Sequence, residues 1–299
     1  MLAENSLIEK SDISSSAYVT VTQAGSVVEI QYMEKMNHAA TIKKINANEY
    51  VDLSTGEIKE FQHIENRSQS YKSLRATFKK LRYLINNNFC GRKNELFITL
   101  TYEENMTDTK RLYEDMKNFM KRLKYQFKNS TTVDYLSVVE PQQRGAWHVH
   151  LLLKFNDLSS VFIPSSELAT LWGHGFVKIK RVDGVDNIGA YLTAYLADLE
   201  LTPETMAVAF QTGHDVVEKD VDGQKKAFIK GGRLHMYPPG MNLFRKSKGI
   251  AYPEREMMTY AGAKKIVGSA EPHYKKKYEI QADDFSNTLI FEQYNLKRL

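Results

Sequence analysis

Hydrophobic and polar residues follow two different periods along the chain, and the pattern is clearest in its middle part. Apolar residues recur at helical spacing and predict amphipathic helices at Arg67–Asn86, Arg111–Phe127 and Asn187–Leu199. Alternating or β-branched runs predict strands at Leu96–Tyr102, Val133–Glu140, His148–Phe155 and Gly175–Val182. A short helix is predicted at Ser165–Trp172, with Ser165 or Ser166 as its N-cap. This order of elements favours an α+β fold, with a central antiparallel sheet flanked by helices.

The two ends of the chain are less regular than the middle. Residues 1–65 contain short alternating stretches and are predicted to form a small β-rich region. Residues 66–200 form the predicted central domain, and residues 201–299 form a mixed, basic C-terminal region. Within that region Lys230–Tyr237 resembles a strand, and the polar tail from Pro272 onward is expected to be partly disordered.

Composition restricts the class of protein. The chain has 299 residues, of which 42% are hydrophobic and 26% are charged, as in soluble globular proteins. The polar N-terminus and the short apolar runs predict neither a signal peptide nor a membrane span. Cys90 is the single cysteine, so an intrachain disulfide is excluded and a reducing cytoplasmic location is expected.

Positive charge is concentrated in two blocks. The net charge is only +5, but Lys72–Lys93 and Lys225–Lys248 contain many basic residues, interleaved with aromatic ones, and no Asp or Glu. Such blocks suit a phosphate backbone, and the aromatic rings can stack on unpaired bases. Two solvated protein faces would give the same pattern, so charge alone leaves nucleic-acid binding open.

The strand with two histidines is the first candidate site. His148 and His150 are two apart in a strand, so both rings point to one face and can bind a divalent metal. If the preceding strand closes a hairpin through Pro141–Trp147, Glu140 lies close to His148 and supplies a third, oxygen ligand. Mixed nitrogen and oxygen ligation suits Mn²⁺ or Mg²⁺ in phosphoryl transfer. The alternative is a pair of surface or hydrogen-bonded histidines beside a strand-end charge.

Two tyrosines form the second candidate site. Tyr191 and Tyr195 are four apart on a predicted helix and therefore lie on the same side, one turn from each other. A phenol can cut DNA by nucleophilic attack and conserve the energy of the phosphodiester bond. Tyrosines beside an apolar helix stripe are also common packing residues, which is the alternative interpretation.

These segments together resemble a known superfamily. In order, the chain has FITLTY at Phe97–Tyr102, then Glu140 and HVHLLL at His148–Leu153, then YLTAY at Tyr191–Tyr195. They resemble the three motifs of the HUH endonucleases in replication-initiator order, and are most similar to initiators of bacterial plasmids, phages and integrative elements. The two-tyrosine helix is similar to that of the gene A initiators of small single-stranded DNA phages. The resemblance covers Leu96–Leu199.

The resemblance implies a rolling-circle replication initiator that nicks and rejoins single-stranded DNA. It assigns the metal, Mn²⁺ or Mg²⁺, to Glu140, His148 and His150, and the nucleophilic attack to Tyr191 and Tyr195. The implied partners are single-stranded or hairpin origin DNA together with host helicase and polymerase. We expect DNA contacts from the first strand, the hairpin, the last strand of the domain and the second basic block, at Thr99, Thr101, Arg144, Trp147, Lys178, Lys180, Arg233 and Arg245.

One position departs from the superfamily pattern. Members usually carry a lysine three residues after a tyrosine of the helix, but Ala194 and Asp198 stand at those places here. Either Lys178, Lys180 or Arg144 takes over, or this subfamily manages without the lysine. The departure also leaves open which tyrosine cuts first, with a slight preference for Tyr195.

Two other functions fit parts of the pattern. A non-catalytic DNA-binding regulator on an initiator scaffold would share the basic blocks but would not need the metal ligands and a tyrosine together. A conjugative relaxase would use the same chemistry. Relaxases usually place the tyrosine before the histidines, and the opposite order here favours an initiator.

Overall fold

The computed structural model describes most of the chain and divides it into two compact units. The described residues are 13–36, 41–46, 48–61, 71–142, 144–203, 205–206, 215–221, 224–238, 241–282 and 285–298. One unit joins residues 1–65 to 254–299, and the other consists of residues 66–253. This grouping differs from the boundaries at 65 and 200 expected from the sequence, because strands from both ends of the chain pair in one sheet.

Strands and helices alternate in the described residues as an α+β fold requires. The strands are β1 (Tyr18–Ala24), β2 (Val27–Met33), β3 (Ile42–Lys44), β4 (Glu49–Asp52), β5 (Ile58–Glu60), β6 (Glu95–Thr101), β7 (Val133–Pro141), β8 (Trp147–Phe155), β9 (Val177–Lys180), β10 (Leu199–Glu200), β11 (Val216–Val221), β12 (Gln224–Ile229), β13 (Phe244–Lys246), β14 (Arg255–Thr259), β15 (Pro272–Ala282) and β16 (Phe285–Asn295). The helices are α1 (Tyr71–Asn88), α2 (Thr109–Gln126), α3 (Ser165–Trp172), α4 (Ile188–Ala197) and α5 (Tyr260–Val267). The predicted α+β class with antiparallel sheets is confirmed. In the described part of the chain, every helix is too short or too polar to cross a bilayer.

One five-stranded sheet carries the candidate site residues. Its strand order is β13-β7-β8-β6-β9, and all pairs are antiparallel. The predicted hairpin between β7 and β8 is present, and its register sets Glu140 opposite His148. On the next strands Thr99 lies opposite His150, and Lys178 lies opposite Thr99. Because side chains alternate along a strand, these residues share one face of the sheet.

The opposite face of this sheet forms the main core with two helices. The Phe127 ring, just beyond the end of α2, packs edge-on against Phe155 with ring centres 5.0 Å apart. Trp172 at the end of α3 is completely buried and packs edge-on against Phe119 of α2. The apolar side of the histidine strand is buried here, as its alternation predicts, at Val149, Leu151, Leu153 and Phe155.

Helices α1 and α4 pack on the face that carries the site. Gly189 lets the two helices approach closely, because a Cβ atom there would lie 2.8 Å from the carbonyl oxygen of Arg82. The Asn86 side chain accepts a hydrogen bond from the Gly189 amide at 2.8 Å and donates one to Asn187 Oδ1 at 3.0 Å. These contacts fix the start of α4 and thereby the position of Tyr191 one turn later.

The other unit contains a second five-stranded sheet, in the order β14-β1-β2-β16-β15. The expectation of a partly disordered tail is wrong, because β15 and β16 form a long antiparallel pair in this sheet. Its core holds a buried carboxylate, Glu292, which accepts hydrogen bonds from Tyr260 at 3.1 Å and Tyr294 at 2.6 Å. Charged residues on both strands had hidden this core from an interpretation based on polarity.

Two local predictions are also wrong. Lys230–Tyr237 is not a strand, because Gly231 adopts a positive φ of 71° and a 3-10 turn follows at Leu234–Met236. Helix α3 starts directly after Pro164, whose extended backbone is the N-cap, and neither Ser165 nor Ser166 caps it. In both places, local backbone geometry of Gly or Pro outweighs the side-chain pattern.

Gly175 is expected to be the most demanding glycine beside the site sheet. It has a φ of 145°, and a Cβ atom there would lie 2.5 Å from the Glu103 amide nitrogen and 2.6 Å from the Thr101 carbonyl oxygen. Gly175→Ala should therefore lower the free energy of unfolding by on the order of 3 kcal/mol, measured by urea denaturation. Gly184→Ala is the control, since Gly184 has a φ of 81° with open space around it. Equal losses in the two variants would contradict the steric explanation.

Candidate functional site

Three strands bring Glu140, His150 and Thr99 into one hydrogen-bonded row. Nε2 of His150 lies 2.5 Å from Oε2 of Glu140, and the Thr99 hydroxyl lies 3.1 Å from Nδ1 of the same ring. With a proton on Nε2, a neutral ring donates to the carboxylate and accepts from the hydroxyl. The Phe97 ring stacks beside His150 with ring centres 5.6 Å apart. The orientation of His150 is thus fixed from three sides.

Arg233 holds the second oxygen of Glu140. Its Nη1 atom lies 2.6 Å from Oε1 of Glu140 and donates to the Pro141 carbonyl oxygen at 2.9 Å. Its Nε atom donates to the Asp198 carbonyl oxygen at 2.9 Å, at the end of α4. Burial opposes ionisation of Glu140, but the hydrogen bond with His150 and the charge of Arg233 outweigh it and hold the pKa of this carboxyl below its usual range. Glu140 is therefore a buried carboxylate between two cationic or hydrogen-bonding partners.

His148 has the properties of a metal ligand. Its Nε2 atom is buried and has no hydrogen-bond partner among the described residues. Burial lowers the pKa of His148 to about 4, despite the opposing attraction of Glu140, so its ring is neutral at physiological pH. The centres of the His148 and His150 rings are 6.4 Å apart. A neutral imidazole with a free buried nitrogen is costly unless it binds something.

The donor set fits a divalent cation in its chemistry. Two imidazoles and one carboxylate make a mixed nitrogen and oxygen set of the kind that catalytic metals use. No three His, Cys, Asp or Glu side chains among the described residues are gathered around one point, and Glu140 is engaged by His150 and Arg233. The unpartnered nitrogen of His148 is the feature that favours a ligand here.

Tyr191 and a lysine from the neighbouring strand meet in a cavity. Nζ of Lys180 donates a hydrogen bond of 2.6 Å to the Tyr191 hydroxyl. Both residues line a cavity of about 160 Å³ together with Thr99, His150 and Lys178. The described residues that line it include two lysines and no Asp or Glu. The structure thus brings the tyrosine, a histidine and two cations to one positively charged recess.

The remaining predicted residues occupy different environments. Tyr195 lies on α4, but its side chain is outside the described part of the structure. Trp147 is buried, and its Nε1 atom donates to the Thr107 carbonyl oxygen at 3.1 Å. Arg144 is exposed in the hairpin loop beside Gln142. DNA contact at these positions stays a prediction.

Two further predicted DNA-contact residues lie on edge strands. Arg245 is exposed on β13, with its guanidinium 3.8 Å from the centre of the Tyr113 ring. Lys178 is exposed on β9, at the other edge of the sheet. Thr101 lies opposite His148 on β6 and is half-buried. These positions leave a broad basic face open around the candidate site.

The contact between Arg233 and Glu140 was not foreseen. The sequence pattern assigned Arg233 to a basic block that contacts DNA, whereas its side chain is mostly enclosed and bonded to groups near the site. The two residues are far apart in the sequence and no motif links them. Only the absence of any acid near Arg233 in the chain hinted that its partner is distant.

Comparison with known proteins gives one match over this domain. The family model of the replication-associated protein ORF2 matches residues 95–200, which span β6 to β10 and contain all the motif residues from Thr99 to Tyr195. This part of the chain is therefore similar to replication-associated proteins, and the match supports a role in replication. No curated protein and no solved structure gives a significant match.

Proposed function

We propose that the protein is a rolling-circle replication initiator of the HUH type, which nicks and rejoins single-stranded DNA through a tyrosine. One observation carries the proposal. Glu140, His148, His150 and Tyr191, which the motifs single out separately, lie on or against one face of a single sheet. The match of residues 95–200 to a replication-associated family supports the same function independently of these distances.

The proposed cleavage step is a transesterification. The Tyr191 or Tyr195 oxygen forms a bond to the scissile phosphorus as the bond from phosphorus to the upstream 3′ oxygen breaks. The phenol proton passes to solvent and the 3′ oxygen takes up a proton. The products are a 5′-phosphotyrosine link and a free 3′-OH, which can prime host polymerase after the duplex is opened by host helicase. The second tyrosine or the reverse reaction rejoins the strand.

The residues of the sheet have separate tasks in this proposal. Glu140, His148 and His150 would hold Mn²⁺ or Mg²⁺, which when bound polarises the scissile phosphate as a Lewis acid. Thr99 keeps the His150 ring oriented through its contact with Nδ1. Lys178 and Lys180 supply positive charge where the phosphate backbone enters the cavity. Single-stranded or hairpin origin DNA is the expected substrate.

A non-catalytic DNA-binding regulator is the second candidate. The contact that favours it is the Arg233 guanidinium on Glu140, since a resident cation can stabilise this carboxylate without any metal. Such a protein would use the basic face for DNA and would leave the phosphodiester bond intact.

A single assay distinguishes these functions. Overlapping single-stranded oligonucleotides that tile the protein's own gene and its flanks are labelled at the 3′ end and incubated with Mn²⁺. An initiator should give a labelled covalent adduct on a denaturing gel, and EDTA should prevent it. Mn²⁺ at 100 times its Kd should also raise the free energy of unfolding by about 2.7 kcal/mol. DNA binding with neither adduct nor Mn²⁺ stabilisation would support the regulator and reject the initiator.

A further inference from the structure

We propose that Lys180 positions Tyr191 as the nucleophile of the first cleavage, in place of a lysine on the tyrosine helix. The inference rests on the proposed function and deepens it. It assigns a task to a strand residue, and it decides between the two tyrosines that the sequence leaves open. Lys180 is a positioning residue here, since it acts through the Tyr191 side chain.

The contact itself is short and doubly constrained. The Lys180 ammonium donates to the Tyr191 hydroxyl at 2.6 Å, and the same ammonium lies 5.3 Å from the centre of the Tyr191 ring. Hydrogen bonds from a charged donor are shorter and stronger than neutral ones. The phenol oxygen is therefore held in one place, whereas a tyrosine on a helix surface samples several rotamers. Restricting the attacking atom in this way is a large part of what an enzyme contributes to a displacement reaction.

The surroundings of this pair suit a phosphate. Tyr191 from α4 and Lys180 from β9 both line the cavity that also contains His150. Thr99 connects the two sides, because it contacts His150 and lies opposite Lys178 on the neighbouring strand. With two ammonium groups and no carboxylate among the described lining residues, the cavity attracts an anionic backbone to the place where the phenol is held.

Lys180 is favoured over the other two cations considered for this task. Lys178 is two residues earlier on β9 and is exposed. Arg144 is exposed in the hairpin loop, where its Nε atom donates to Gln142 at 3.1 Å. Lys180 is half-buried and bonded to the tyrosine directly. When the phenol oxygen moves to phosphorus, the same ammonium remains beside the charge of the transferred phosphate.

The test measures cleavage and adduct position in the full-length protein with the oligonucleotide that gives the strongest adduct. Lys180→Met removes the charge and keeps the volume, and Lys180→Arg keeps a charged donor. Lys117→Met is the matched control, because Lys117 is exposed on α2 and its loss changes the net charge equally. Single-turnover rates at saturating DNA, DNA affinity and thermal unfolding are measured for each variant, and mass spectrometry identifies the modified tyrosine.

The expected results separate this inference from the proposed function. Wild-type protein should carry the first adduct on Tyr191, and Lys180→Met should lower the saturating rate by about 10²-fold with the DNA affinity of Lys117→Met. Lys180→Arg should recover part of that rate. An adduct on Tyr195, or equal rates for Lys180→Met and Lys117→Met, would overturn the inference and leave the initiator function intact. A wild-type protein that forms no adduct would reject the proposed function itself.

Discussion

Converting Tyr191 and Tyr195 together to phenylalanine should lower covalent adduct formation by at least about 10³-fold. Phenylalanine keeps the ring at each position but has no oxygen that could attack phosphorus. The adduct is measured with the 3′-labelled oligonucleotide on a denaturing gel. Binding of the same DNA, measured by fluorescence anisotropy in EDTA, should change little because the charges around the cavity are kept.

Tyr125→Phe is the control for this double variant. Tyr125 is 70% exposed on α2, the helix that packs on the opposite face of the sheet, so its hydroxyl cannot reach the cavity. The control should form the adduct at the wild-type rate. Persistent adduct in the double variant would mean that another nucleophile cuts the DNA, and the assignment of the tyrosines would be wrong. The stability of the double variant should fall by about 1 kcal/mol through loss of the Lys180 hydrogen bond.

Arg233→Gln should have the largest effect on stability among the site variants. The Arg233 and Glu140 side chains are 18% and 10% exposed, so removing the guanidinium leaves a buried carboxylate without its cation. Loss of one partner of such a pair lowers the free energy of unfolding by about 3 kcal/mol. Urea denaturation of the metal-free protein measures this loss. Arg92→Gln, at an exposed position of the same unit, should change stability by less than about 0.5 kcal/mol.

A double-mutant cycle tests whether the loss comes from the pair itself. Glu140→Gln alone leaves the Arg233 guanidinium enclosed, while Glu140→Gln with Arg233→Gln removes both charges. The double variant should be more stable than the sum of the two single losses predicts, by at least about 1 kcal/mol. Simple additivity would show that Arg233 acts only through its bonds to the Pro141 and Asp198 carbonyl oxygens.

The local pattern was sufficient to predict the elements that carry the site. The alternation in His148–Phe155 predicted that both histidines share a face, and the short connection to β7 predicted that Glu140 lies opposite His148. Helical spacing predicted α4 with both tyrosines on it. These predictions hold because strand alternation, helical periodicity and a short hairpin each depend on neighbours in the sequence.

Contacts between distant segments could not be predicted in the same way. Polarity suggested that the C-terminal tail was disordered, yet β15 and β16 complete a sheet with β1, β2 and β14. The sequence offered Lys178, Lys180 and Arg144 as possible substitutes for a missing lysine and provided no means of choosing among them. The choice follows from how β9 and α4 pack, which places only Lys180 on the Tyr191 hydroxyl among these three.

The sequence by itself therefore determined the fold class, the histidine strand, its carboxylate partner and the tyrosine helix, since each is written in short-range periodicity and motif order. The tertiary structure decided which atoms meet. It paired Glu140 with His150 rather than with the directly opposite His148, enclosed Arg233 beside that carboxylate, and joined Lys180 to Tyr191. These contacts depend on the packing of side chains from segments far apart in the chain, and no local pattern encodes that packing.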